Sequence, residues 1–109
     1  MTPPPFPRDR PRRFRATVHG TVFAGRDRHL EGLTVGDSLR LIPEPLAESD
    51  PEVWVHLHTG DPVGHLPREI GVWLAPWLRS GGAAEARALK VSGEEVPSWR
   101  RLLLEIRCG

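Results

Sequence analysis

The stretch VWVHLH at residues 53–58 alternates apolar and polar side chains with a period of two, a pattern that suits a half-buried strand and no helix. It predicts a strand that buries Val53, Val55 and Leu57 and turns Trp54, His56 and His58 to the opposite side. The same rule recurs in short pieces along the chain. From residue 14 onward, Ala16, Val18, Gly20 and Val22 share one side and Thr17, His19, Thr21 and Phe23 the other, with Gly20 expected as a bulge or bend. SLRLI (38–42), VGHL (63–66), residues 84–91 and residues 99–107 supply the remaining strands, the last with Leu102, Leu104 and Ile106 facing inward.

Helical spacing is confined to two places. Residues 27–33 read as a short helical turn carrying Leu30 and Leu33. The main helix, near 67–80, is expected to start with Pro67 at its first position and to end where Gly81 takes the left-handed cap. Its apolar face is Ile70, Trp73, Leu74, Trp77 and Leu78; Pro76 cannot donate to the carbonyl of Val72, which predicts a kink or a second, shorter helix. Residues 43–52 hold three prolines and four acids and form a loop. Together these elements predict a mainly β fold: a small, partly closed, OB-like or SH3-like barrel of about six strands with one main helix near 67–80 and a short helical turn near 27–33.

At 109 residues the chain suits one domain, too small for separate cofactor and substrate domains. No apolar run is long enough to span a bilayer, and no signal-like apolar segment opens the chain, so a soluble, cytoplasmic protein is expected. The single cysteine, Cys108, excludes an internal disulfide framework and a multi-cysteine zinc site. Charge is unevenly spread. Residues 1–15 carry five arginines against one aspartate, a charge of +4, which leaves 10 basic and 13 acidic side chains, or −3, elsewhere. Five prolines accompany those arginines, so residues 1–13 are expected as a disordered basic arm ahead of a barrel domain at 14–109. Such an arm is either solvated or in salt-dependent contact with phosphates.

The densest chemistry lies in DPVGHLPREIGVW, residues 61–73. His65 at the strand-to-helix junction either orients a phosphate or caps backbone groups. Arg68 in the first helical turn opposes the helix dipole unless an anion sits there, whereas Glu69 complements the dipole. Trp54 is either a stacking surface for a base or a cover for the barrel exterior. His56 and His58, two apart on one strand face, are metal ligands only if His19 or His65 joins them; with no cysteine or carboxylate to complete the set, no metal and no cofactor are expected. No nucleophile has a positioned base beside it, so the chain is read as non-enzymatic.

Five stretches, VHGTVFAGR (18–26), GDSLRLIPEP (36–45), DPEVWV (50–55), GDPVGHLPREI (60–70) and LAPWLRSG (74–81), follow one another in the order and spacing of the HIRAN domain. The chain resembles the short, stand-alone bacterial members of that family over residues 14–107. The resemblance implies a modified OB-like barrel, no catalytic activity, and recognition of the free 3′ end of single-stranded DNA. By the same resemblance Phe23 stacks on a base, Asp50 bonds the terminal 3′ hydroxyl, and His65 and Arg68 hold phosphate, with a helicase or nuclease as a possible protein partner in DNA repair or replication-fork processing. Ile42 stands where the family commonly has an arginine, Ser49 where it has a tyrosine, and Val22 where a basic residue often precedes the aromatic. These departures remove one stacking platform and support an alternative reading as a protein-interaction adaptor that has lost DNA-end binding.

Overall fold

A computed structural model describes residues 5–21, 25–43 and 53–109. Six strands form one antiparallel sheet: β1 (Arg13–Thr17), β2 (Ser38–Pro43), β3 (Val53–His56), β4 (Pro62–His65), β5 (Ala84–Val91) and β6 (Leu102–Cys108), in the spatial order β1-β6-β5-β2-β3-β4. Two helices, α1 (Arg26–Glu31) and α2 (Arg68–Arg79), and a 3-10 turn at Ser98–Arg100 complete the described chain. The fold is mainly β, as the alternating pattern requires, and the sheet curls into a partly closed barrel.

The curl follows from where the small and large apolar residues fall. Ala16, Val53, Val55, Ala86, Ala88, Leu102, Leu104 and Ile106 face inward and are buried, while Arg15, His56, Glu85, Arg87, Glu105 and Arg107 alternate with them on the outer side. Strand β2 serves two neighbours in turn: Ser38 and Leu39 pair with β5, and Arg40 to Pro43 pair with β3, so the sheet bends within this strand. The two edges of the sheet then meet. Beyond β1, His19 forms an isolated antiparallel bridge with His65 of β4, through His19 N–H to His65 C=O at 2.8 Å and His65 N–H to His19 C=O at 3.0 Å.

Helix α2 packs on β2 and β3 through Leu74, Ala75 and Trp77, which are buried, with Ile70, Trp73 and Leu78 half-buried beside them. It runs unbroken through Pro76, which is exposed, so no second helix forms. Pro67 is the N-cap rather than the first helical residue, with ψ of 148°, and its carbonyl accepts from the amides of Ile70 and Gly71. The C-terminus closes as expected, with Gly81 at φ 104°, Gly81 N–H donating to Leu78 C=O and Gly82 N–H to Trp77 C=O.

Two of the expected strands differ from the sequence pattern. The alternation from residue 14 does not continue to residue 21, because Gly20 at φ 72° turns the chain and reverses the phase. Thr21 is therefore fully buried rather than on the His19 side, and its hydroxyl donates to Ser98 C=O at 2.8 Å. The last strand starts at Leu102, not at residue 99, since Pro97 opens a 3-10 turn that leaves Trp99 half-exposed. Ahead of β1, Phe6 packs edge-on against Trp73 and Trp77 at 5.7 and 5.2 Å, and Arg12 lies 4.8 Å over the Phe6 ring. An apolar residue within the proline-rich segment thus anchors it to α2.

Candidate nucleic-acid interface

The inward positions of β3 and β4 determine what faces outward. Burial of Val53 and Val55 turns Trp54 out, and burial of Gly64 and Leu66 does the same for His65 between them. Register aligns Ile42 with Trp54 and Trp54 with His65, and the closing bridge adds His19, giving one row across three strands and the bridging residue. The His65 ring stands edge-on to Trp54 at 5.5 Å, and the His19 and His65 rings lie 6.1 Å apart.

Two glycines permit this closeness. A Cβ at Gly64 would collide with the His19 carbonyl oxygen and approach Val18 Cγ1 to 2.6 Å, so the edges meet only over a bare backbone. A Cβ at Gly20 would sit 3.1 Å from Arg26 Nη1 and 3.3 Å from His65 Cδ2, in a backbone conformation that side chains rarely adopt.

Arg26 enters the row from α1, a short helix held by buried Leu30 and by His29, whose Nδ1–H donates to Pro62 C=O at 2.7 Å. Its guanidinium lies 4.8 Å from the Trp54 ring centroid and Nη1 donates to Gly20 C=O at 2.9 Å. Arg26 Nε and Trp54 Nε1 are both buried and have no hydrogen-bond partner among the described residues. A buried N–H left unpaired costs about 1–3 kcal/mol. His65 Nδ1 is 3.1 Å from Leu66 C=O, and since a carbonyl only accepts, Nδ1 carries the hydrogen and Nε2 is left to accept, or to donate once protonated. His19 Nε2 lies 3.4 Å from Thr17 Oγ1. Among the described residues no carboxylate forms an ion pair with Arg26. The arrangement is an aromatic plate with an arginine over its ring and a histidine at its edge, which can take a planar or anionic group.

Of the residues selected from sequence, Trp54 and His65 are brought into contact. Arg68 opens α2 and is exposed, three residues past His65. Phe23 and Asp50 lie outside the described residues, as does the loop 44–52. Arg26 and His19 were missed as interface members, because nothing in local periodicity links residues 19 and 26 to 54; only sheet closure does. His56 and His58 are engaged separately: His58 Nε2 is 2.7 Å from Ser38 Oγ, and His56 stands opposite Arg40 with its pKa lowered by partial burial and by that arginine. Among the described residues no three histidine, cysteine or acidic side chains cluster as metal ligands, and no helix is long and apolar enough to cross a membrane. Cys108 is buried at the far end of β6, where desolvation pushes its thiol pKa up to about 11. No protein-family model, curated protein or solved structure matches the chain.

Proposed function

We propose that this protein is a non-enzymatic module that binds single-stranded nucleic acid, with Trp54 stacking on a base and Arg26, His19 and His65 meeting the adjoining phosphate. The observation that carries the reading is the pair of buried, unpartnered donors, Arg26 Nε and Trp54 Nε1, on one aromatic plate with a second cationic-capable ring at its edge. Such donors are retained at a folding cost when a ligand atom completes them. Phe23, three residues before Arg26, and Asp50, four before Trp54, are tethered to this cluster by the chain itself and are the candidates for the second stacking ring and for reading a 3′ hydroxyl. The likeness of the five sequence stretches to the HIRAN domain points to DNA ends and to work beside a helicase or nuclease in repair or fork processing. Arg68 in the first turn of α2 adds a positive charge beyond His65.

The test is fluorescence anisotropy of labelled single strands ending in 3′ hydroxyl or 3′ phosphate, at low and physiological salt. Wild type is expected to bind, with preference for the hydroxyl end. Trp54→Ala is expected to weaken binding roughly tenfold or more, from ~1–3 kcal/mol per stacked base. Arg26→Met is expected to weaken binding at a stability cost of only about 1 kcal/mol, since it gives up the Nη1 hydrogen bond to Gly20 C=O and the contact with the Trp54 ring but also removes a buried Nε donor that lacks a partner. Equal affinity for both ends removes end recognition, and absence of binding at low salt removes the nucleic-acid reading. Trp99, half-exposed with Arg100 stacked on it, favours the second reading, a protein-interaction adaptor. That reading is supported if a stoichiometric protein partner survives nuclease treatment during purification and is lost on Trp99→Ser.

A further inference from the structure

Strands β1, β6 and β5 present a second outward face whose charge does not follow from any folding requirement. In register across it lie Arg13, Arg107 and Glu85 in one row, and Arg15, Glu105 and Arg87 in the next, with Lys90 beyond a bulge. These are five cations against two carboxylates, a net +3, on a chain whose total is +1. Arg13 pairs with Glu105 at 3.1 Å, whereas Arg15, Arg87, Lys90 and Arg107 form no ion pair with any described residue. Arg13 and Arg107 stand directly opposite each other, and like charges so placed destabilise a sheet. Arg12, Arg13 and Arg107 also line a cleft of about 600 Å³ at the end of these strands.

This face runs into the Trp54 cluster. Arg13, Arg15, Thr17 and His19 are alternate residues of one strand path, and His19 is the residue that bridges to His65. Six residues of strand at about 3.3 Å each cover ~20 Å. A stacked strand advancing roughly 3.4 Å per nucleotide would lay about six nucleotides along that distance.

We infer that the outward face of β1, β6 and β5 is a phosphate track that leads a single strand away from the Trp54 cluster, and that Arg15 and Arg107 are its contact residues. The inference rests on the nucleic-acid reading above and adds a binding surface and a site size to it. An arginine pair costly to the sheet is explained if a polyanion lies between the two side chains.

Anisotropy with oligothymidines of roughly four and roughly ten nucleotides, across a salt series, tests it on the full chain. Arg15→Gln with Arg107→Gln is expected to weaken the long strand about tenfold and to reduce its log–log salt slope by about 1.4, at ~0.7 per lost phosphate contact, while the short strand is unchanged. The charge-retaining Arg15→Lys with Arg107→Lys keeps the slope. Thermal melting of the glutamine pair is expected close to wild type, because Arg107 gives up repulsion from Arg13 together with attraction to Glu85, and Arg15 only an exposed pairing opposite Glu105. Unchanged long-strand affinity overturns the track and leaves the cluster standing; equal weakening of both strands also overturns it, by making the arginines part of the cluster. If instead Trp54→Ala binds as wild type while the arginine pair does not, the cluster fails and the track stands. Absence of binding by wild type at low salt overturns both.

Discussion

Replacing Gly64 with alanine tests the closure that assembles the candidate interface. The new Cβ would occupy the space of the His19 carbonyl oxygen and come within 2.6 Å of Val18 Cγ1, so the two sheet edges have to separate. Separation gives up the reciprocal hydrogen bonds between His19 and His65, at 2.8 and 3.0 Å, worth about 1 kcal/mol each. Crowding of a filled interior adds ~1–3 kcal/mol. The expected loss is therefore about 3–5 kcal/mol, and at roughly 4 °C per kcal/mol for a chain of this length the melting temperature falls by about 12–20 °C. Gly60→Ala is the control: its φ of 98° is equally unfavourable for a side chain, but a Cβ there meets nothing within 4 Å, so only strain of about 1–2 kcal/mol is expected. Thermal denaturation by circular dichroism reads both variants, and amide exchange reads the protection of His19 and His65. The reasoning is refuted if Gly64→Ala melts no lower than Gly60→Ala while both histidine amides stay protected.

Phe6→Ala removes two edge-to-face contacts, at 5.7 and 5.2 Å, each worth about 0.5–1.5 kcal/mol, and a cation–π contact with Arg12; a loss of roughly 2 kcal/mol in urea unfolding is expected, and none if residues 5–12 do not pack on α2. The Cys108 thiol, held near 11 by burial, is expected to resist an aromatic disulfide reagent at pH 8 in the folded protein and to react at once in denaturant. His56 has a lowered pKa in the fold, so the unfolded chain takes up its proton first as pH falls through about 6.5. Stability is lost below that pH, and His56→Gln is expected to flatten this part of the stability profile measured by urea titration.

Legibility in the sequence depended on the range of the interaction. β3, β5 and the inward set of β6 were readable because alternation is a local property enforced by one core face. A bulge or bend at Gly20 was legible, but the reversal of phase after it and the 3-10 turn after Pro97 were not, because a single glycine can bend, bulge or continue a strand, and the choice is made by what lies opposite: Thr21 turns inward to bond Ser98 C=O. Within the interface, Trp54 and His65 were recognisable as polar-face residues of strands, whereas Arg26 and His19 were recognisable only as members of a turn and a strand.

The sequence by itself determined that this chain forms a mainly β domain with one helix at 68–79, and which residues line its core, since period and punctuation act over a few residues. It also determined where arginine is concentrated. Tertiary structure decided which outward residues share a face. The order β1-β6-β5-β2-β3-β4 brings residues 13, 107 and 85 into one row and residues 42, 54, 65 and 19 into another, and no local rule contains that pairing. The physical reason is closure: once the core side chains curl the sheet, its edges can meet only where Gly64 offers no side chain, and that meeting point positions His19, His65, Trp54 and Arg26 together.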